Sequence, residues 1–143
     1  MIRRIQERDC AQAFKTGEER FDFDEQGNPI GLSFYLERDR SSSYLSYVLE
    51  EKGEIIGVLC IEIVQRVLYL SRIGVQQKYR FKGHGYFLHE FLMDIVEEKG
   101  IKVIYCKVHE NVFRWFTELG YLKVHEYDDP HWGKSADMML LIG

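Results

Sequence analysis

One short segment of the chain, from Val75 to Tyr86, constrains the fold more than any other. An apolar, β-branched run, Val67 to Val75, precedes it and predicts a strand. After it, from Gly85 to Lys99, apolar residues recur at helical spacings, which predicts an amphipathic helix. Gly83 and Gly85 lie where the strand turns into the helix. This order of elements is typical of a domain in which helices pack on a sheet.

The same segment favours the binding of an anion. Glycines let a ligand approach the backbone closely, and the first amides of a helix point outward at the positive end of its dipole. Between Glu62 and Glu90 the chain has no acidic residue and five basic ones: Arg66, Arg72, Lys78, Arg80 and Lys82. The spacing matches neither a P-loop nor a dinucleotide-binding fingerprint. An ordinary glycine-rich turn is the alternative, since such a string occurs by chance in about one chain of this length in fifteen.

Around this segment the pattern predicts strands with interleaved helices. Asp9 is the expected N-cap of a helix that ends near Gly17, and Asn111 that of a helix that ends at Gly120. The run from Ile30 to Leu36 fits a helix or a strand equally. The remaining predicted strands are Met1–Ile5, Tyr44–Glu51, Glu54–Val64, Ile101–Val108, Tyr121–Tyr127 and Ala136–Ile142. We therefore expect a mixed sheet in an α/β or α+β domain.

Composition limits the classes of protein to which the chain can belong. Its 143 residues, 45% of them hydrophobic, suit one domain over 1–143. A net charge of −4 argues against a general nucleic-acid binder and against a polybasic membrane adaptor. Three widely spaced cysteines suggest neither disulfides nor zinc, and the five histidines lack metal-ligand spacing, so we expect no metal. Without a signal-like or membrane-spanning apolar run, a cytoplasmic location is the expectation.

The glycine segment resembles the signature of the GNAT superfamily of acyl-CoA-dependent N-acyltransferases. In that family an apolar strand end is followed five positions later by [QR]xxGx[GA] and a helix, matched here by Val75, Arg80, Gly83 and Gly85. The resemblance extends to the pair Gly120-Tyr121 and covers about two-fifths of the chain. It implies a central, mostly antiparallel sheet of about six to seven strands, splayed at the cofactor site and flanked by about three to four helices.

The resemblance also implies acetyl-CoA as co-substrate and places it on particular residues. Ile73 and Val75 would offer backbone groups to the pantetheine arm, and Asn111 would contact the pantetheine or adenine side. The strands that carry Val75 and Val108 would splay apart to admit the cofactor. The pyrophosphate would be cradled by Arg80, Phe81, Lys82, Gly83, His84 and Gly85.

The chain departs from the family where a proton donor is expected. The family commonly has a tyrosine four residues before the terminal glycine, where it protonates the leaving thiolate, and here that position is Phe116. Tyr105 or Cys106, on the preceding strand, is a possible replacement, although each is also an ordinary packed strand residue. Glu62, in an apolar strand, is a candidate to accept the proton of the amine, or else an outward-facing strand residue.

The function expected from these residues is transfer of an acetyl group from acetyl-CoA to a primary amine by direct attack on the thioester. The acceptor amine stays open among a protein terminus, a lysine, a polyamine and a drug, and the chain is expected to be a monomer or a homodimer. The alternatives are an acyl-CoA-binding sensor or partner module of the same fold, and a structural domain whose turn binds no CoA.

Overall fold

A computed structural model describes residues 1–10, 22–23, 29–30, 32–40, 43–130 and 132–143. Its helices are α1 (Leu32–Asp39), α2 (His84–Lys99) and α3 (Phe113–Glu118), with residues 7–10 also helical and 3₁₀ turns at Gln77–Tyr79 and Glu110–Val112. The strands are β1 (Ile2–Arg4), β2 (Asp22–Phe23), β3 (Pro29–Ile30), β4 (Tyr44–Glu51), β5 (Glu54–Val64), β6 (Val67–Val75), β7 (Val103–His109), β8 (Leu122–Asp129) and β9 (Gly133–Leu141). None of these described helices is long and apolar enough to cross a membrane.

Seven of the strands form one sheet in the order β1-β4-β5-β6-β7-β9-β8, and β2 pairs separately with β3. Within the large sheet β6 and β7 run parallel, whereas the other neighbouring pairs are antiparallel. The expected mixed sheet flanked by helices is confirmed. The bounds of β4, β5 and β6 agree with those predicted from the sequence, because turn residues and β-branched content mark them clearly.

Two predicted helix starts are wrong. Asp9 lies inside the first helical turn, where its carboxylate accepts the Gln6 N–H at 2.8 Å, so Gln6 holds the N-cap position. The continuation of that helix to Gly17 falls outside the described residues. Asn111 lies in a 3₁₀ turn, and the cap of α3 is Val112, which makes no side-chain cap bond. This tighter turn moves the cap, and with it the start of the α-helix, one residue later than predicted.

The sheet has a buried layer on each side. On one side, here called the α2 face, Leu59, Leu68 and Ile104 pack in one cluster with Leu88 and Leu92 of α2. Each of these side chains is buried, and burial of one such chain contributes about 1.5–3 kcal/mol. This cluster is what fixes α2, and therefore its N-terminus, against β5 and β6.

The other side, here called the α1 face, carries Val48, Val58 and Cys60 under Leu32 and Tyr35 of α1. The run that fitted a helix or a strand is thus mostly helical, and its buried residues are three positions apart, as one face of a helix requires. Along the strands these residues alternate with those of the α2 face.

Candidate functional site

The sheet opens between its two parallel strands. β6 and β7 pair over only three positions, of which Tyr69 with Tyr105 is the last, although β6 continues to Val75 and β7 to His109. Beyond that point the register of β5 with β6 shifts, with Ser71 as the extra residue. A bulge bends its strand, so β6 leaves β7 here. The expected splaying of the two strands is confirmed.

Backbone groups of β6 face this gap. The Gln76 N–H donates to the Ile56 C=O on β5 at 2.9 Å. Because successive residues of a strand present their polar groups to opposite sides, the groups of Val75 and Ile73 point away from β5 and into the gap. The Val75 C=O accepts a bond from Arg80 Nε at 3.0 Å. The amide N–H groups of Ile73 and Val75, for which the family resemblance implies a pantetheine contact, are thus directed into the gap.

The loop after β6 is held by bonds to β5. Gln76 Nε2 donates to the Ile55 C=O at 2.6 Å, and Glu54 accepts bonds from Lys78 Nζ at 2.7 Å and from the Tyr79 hydroxyl. These contacts join the 3₁₀ turn to the rigid sheet. They fix the position of the loop that follows before any ligand binds.

The amides at the start of α2 are open. The first hydrogen bond of the helix joins the Phe87 N–H to the Gly83 C=O at 3.0 Å. The N–H groups of residues 84–86 therefore have no partner within the helix. Gly83 has φ +87°, and a Cβ there would meet nothing within 4 Å. A Cβ on Gly85 would lie 3.4 Å from the Trp115 ring. Gly83 thus borders open space, whereas Gly85 permits close packing of α2 on α3.

The five basic residues of this region are dispersed. Lys78 is paired with Glu54, and Arg66 lies in the turn at the other end of β6. Arg72 stacks its guanidinium over the Phe34 ring of α1, 5.2 Å from the centroid. Arg80 and Lys82 remain at the loop and are exposed. The positive charge predicted around the loop is therefore supplied mainly by these two side chains and the helix dipole.

A cleft of about 390 Å³ fills the gap between the strands. Its lining residues divide between the two faces of the sheet. Six belong to the apolar cluster of the α2 face: Leu70, Ile73, Cys106, Val108, Val112 and Phe116. The others are mostly polar: Ser71, Arg72, Lys107, His109, Tyr127, Asp129, Trp132 and Ser135. The cleft thus has an apolar half beneath α2 and α3 and a polar half that opens toward the α1 face.

The apolar half contains the position where the family has its tyrosine. Phe116 lines the cleft, is 6% exposed, and packs edge-on against the rings of Trp115 and Tyr121 at 4.9 and 5.1 Å. Beside it, burial and then the charge of Asp137 raise the pKa of the Cys106 thiol to about 12. This thiol keeps its proton at neutral pH, and it is the titratable side chain that shares the apolar half with Phe116.

Glu62 and Tyr105 do not line the cleft, but the register of the sheet brings them into one row. Glu62 pairs with Tyr69, which pairs with Tyr105, so the three side chains share the α1 face at the point where the strands part. The Tyr69 and Tyr105 rings are 5.6 Å apart. Ser43 Oγ donates to Glu62 at 2.8 Å, while burial and the neighbouring Asp137 carboxylate raise the pKa of Tyr105 to about 12. Sequence reasoning missed Tyr69, which only the pairing of three strands reveals.

The polar half also contains residues that the sequence did not single out. His109 stacks on Trp132 with ring centroids 5.2 Å apart and planes 8° from parallel. The Trp132 N–H donates to Asp129 at 3.0 Å, which folds the turn between β8 and β9 over this end of the cleft. Asn111 is exposed near His109 and does not line the cleft. In the sequence, Trp132 within an otherwise polar turn is a signal that could have pointed to this part of the cleft.

The described residues contain no group of three or more histidine, cysteine, aspartate or glutamate side chains that could hold a metal ion. The site consists of backbone amides, two cations and a divided cleft.

Comparisons with known proteins agree with this geometry. Residues 3–121 match the model of the acetyltransferase (GNAT) family, so the chain belongs to this family. A search of curated proteins finds no match.

Solved structures with similar folds include several acetyltransferases. The ribosomal-protein-S18-alanine N-acetyltransferase from Escherichia coli is 19% identical, with 99% of this chain and 93% of that chain covered and a TM-score of 0.77. A PaiA N-acetyltransferase from Thermoplasma acidophilum in complex with coenzyme A is 17% identical, with 99% and 98% covered and a TM-score of 0.73. A GNAT acetyltransferase from Elizabethkingia anophelis with acetyl-CoA bound is 13% identical, with 99% and 97% covered and a TM-score of 0.67. At these identities the likeness concerns the fold.

Proposed function

We propose that residues 1–143 form a single N-acetyltransferase domain, which transfers the acetyl group of acetyl-CoA to a primary amine. The observation that carries this proposal is the gap between β6 and β7, with free amides of α2 at its mouth and an apolar half-cleft inside. Such a gap accepts an extended, partly apolar arm that ends in a polyanion. Membership of the GNAT family supports the same co-substrate.

Each part of the chain then has a role toward the co-substrate. The amides of residues 84–86 and the side chains of Arg80 and Lys82 would hold the pyrophosphate. The amides of Ile73 and Val75 would bind the pantetheine arm in place of the missing β7 ladder. Acetyl-CoA supplies an acyl group activated as a thioester. Asn111, exposed beside the cleft, would contact the arm from the other side.

The amine would approach from the polar half of the cleft and attack the thioester carbonyl, which the Val75 amide polarises. A C–N bond forms and the C–S bond breaks. The proton of the ammonium would pass to Glu62 through water, since Glu62 lies on the α1 face but outside the cleft. The departing sulfur would take a proton from the Cys106 thiol or, through water, from the Tyr105 hydroxyl, and that group would regain a proton from the nitrogen of the new amide. Most of the rate would come from holding donor and acceptor together.

The acceptor is proposed to be a small-molecule or peptide amine. One similar structure is named for an alanine of a ribosomal protein, which is a polypeptide acceptor. The net charge of −4 supports a protein that acts without nucleic acid or membrane, and we propose a cytoplasmic monomer or homodimer.

Isothermal titration with acetyl-CoA tests the first part of this function, and turnover with a panel of amines tests the second. Expected are saturable binding and release of CoA with at least one amine. Absence of heat and of thermal stabilisation at millimolar CoA would contradict the proposal.

One observation favours a second candidate, a sensor that binds acyl-CoA without turnover. Phe116 brings no hydroxyl to the cleft. Tight binding of acetyl-CoA with no turnover of any amine would select this alternative.

A further inference from the structure

Phe81, in the loop before α2, combines two unusual features. Its side chain is fully exposed, with a relative accessibility of 104%. Its φ is +65°, in the left-handed region that non-glycine residues rarely adopt. Neither feature helps an isolated protein, because an apolar ring is left in water and the backbone is strained. Both suggest that the ring is held out for a ligand.

The neighbours of Phe81 do not cover it. Arg80 directs its Nε to the Val75 C=O, and Lys82 places its Nζ over the Tyr79 ring, 5.8 Å from the centroid. Tyr79 itself is bonded to Glu54. Among the described residues, no aromatic ring stacks on Phe81 and no cation lies over it. An apolar plane is therefore presented between two positive side chains at the edge of the anion site.

We propose that Phe81 is the stacking platform for the adenine base of coenzyme A, an inference that rests on the proposed function. If the pantetheine arm enters the gap along β6 and the pyrophosphate lies on the amides of residues 84–86, the nucleotide leaves on the outer side of the loop. Phe81 is the exposed ring of that loop. A purine stacks well on an aromatic side chain, and the flanking cations, Arg80 and Lys82, suit the additional phosphate of the nucleotide.

The other exposed aromatic residues nearby are directed elsewhere. Tyr86 lies against Trp115 of α3, with ring centroids 5.5 Å apart. Phe87 points to the opposite flank of α2, because Phe91, one turn further on, packs on Tyr47 of β4 at 5.0 Å. Phe87 is 47% exposed and serves as a matched control for removal of an exposed ring from the same region.

Calorimetric titration with two ligands tests the proposal. CoA contains the adenine, whereas 4′-phosphopantetheine contains the arm and a phosphate but no nucleoside. Phe81→Ala should weaken CoA binding by about 5- to 100-fold, as expected for loss of one base stack, and leave 4′-phosphopantetheine binding unchanged. Phe81→Trp should retain the affinity for CoA. Phe87→Ala should change neither ligand.

Phe81→Gly separates the ring from the backbone, since glycine adopts a positive φ without strain. It should lose CoA affinity as Phe81→Ala does. An equal loss for both ligands, or unchanged CoA binding in both variants, would overturn the proposal while leaving the proposed function intact. If the wild-type protein binds neither ligand, the proposed function fails first and this inference fails with it.

Discussion

The two halves of the cleft are built in different ways. The apolar half takes its lining from two stretches of the chain, first Leu70 and Ile73 of β6 and then Cys106, Val108, Val112 and Phe116 between β7 and α3, while the loop after β6 leads directly into α2. The polar half draws Arg72, Lys107, Tyr127 and Trp132 from separate strands and turns. The loop that leads from β6 into α2 is thus fixed by local order in the chain, whereas the polar half depends on how the strands are brought together.

The largest expected effect follows from placing a negative charge in the loop before α2. Gly83→Asp should weaken CoA binding more than about 100-fold, because a carboxylate would occupy the open space before α2 and repel the pyrophosphate. Gly100→Asp is the matched control, with φ +65° and open space at the far end of the same helix. Calorimetric titration should show near-normal binding for Gly100→Asp. Equal losses in the two variants would mean that backbone strain, not the anion site, is responsible.

A gain of function is expected from a change in the apolar half. Phe116→Tyr should raise kcat by about 10- to 100-fold with little change in KM for acetyl-CoA, because it returns a proton donor to the cleft. The control is Phe113→Tyr, which adds a hydroxyl to a ring covered by Lys123 and outside the cleft. Steady-state kinetics of both variants check this. No rise for Phe116→Tyr would indicate either that Tyr105 or Cys106 already supplies the proton, or that the helix places position 116 away from the sulfur.

A smaller loss is expected from removing one cation of the loop. Arg80→Ala should weaken CoA binding by about 10-fold at low salt and reduce the dependence of the affinity on salt, since one screened charge is lost. Part of the loss would come from freeing the Val75 C=O, to which Arg80 Nε is bonded. Arg114→Ala removes a side chain that is 92% exposed on α3 and should leave both quantities unchanged. Titrations at several salt concentrations measure this, and wild-type affinity in Arg80→Ala at low salt would contradict it.

The smallest effect concerns the free energy of unfolding and the contact between His89 of α2 and Tyr121. His89 is buried on α2 and its Nε2 lies 2.9 Å from the Tyr121 hydroxyl, and burial lowers the pKa of this histidine from its ordinary 6.5. The unfolded chain therefore takes up the proton first, and the free energy of unfolding falls as the pH drops through 6.5. His89→Gln should flatten this part of the pH dependence.

Thermal melts between about pH 5 and 8 compare the slopes, a range centred on the ordinary titration of histidine. His125→Gln, at an exposed position on β8, is the control and should keep the wild-type slope. If His89→Gln keeps the wild-type slope, groups other than His89 cause the loss of stability at acidic pH.

Elements with a local signal were predictable. Alternating apolar residues and turn glycines mark β4, β5 and β6, and the amphipathic stripe that ends at Gly100 marks α2. The predicted caps at Asp9 and Asn111 failed because capping depends on which backbone N–H a side chain reaches, and residue type alone does not show this. Of the predicted site, the splay and the open amides before α2 are present. Glu62, Tyr105 and Asn111 lie outside the cleft lining, so their roles stay predictions.

The strand, loop and helix around Gly83 are encoded locally, because that conformation needs particular residues at fixed local spacings. The rest of the site depends on contacts between segments that are distant in the chain. The bulge at Ser71 depends on how β5 pairs with β6, and the row of Glu62, Tyr69 and Tyr105 depends on the register of three strands. The stack of His109 on Trp132 depends on the turn between β8 and β9. The register between strands depends on the apolar patterns of both partners, so one segment of the chain read alone does not reveal it.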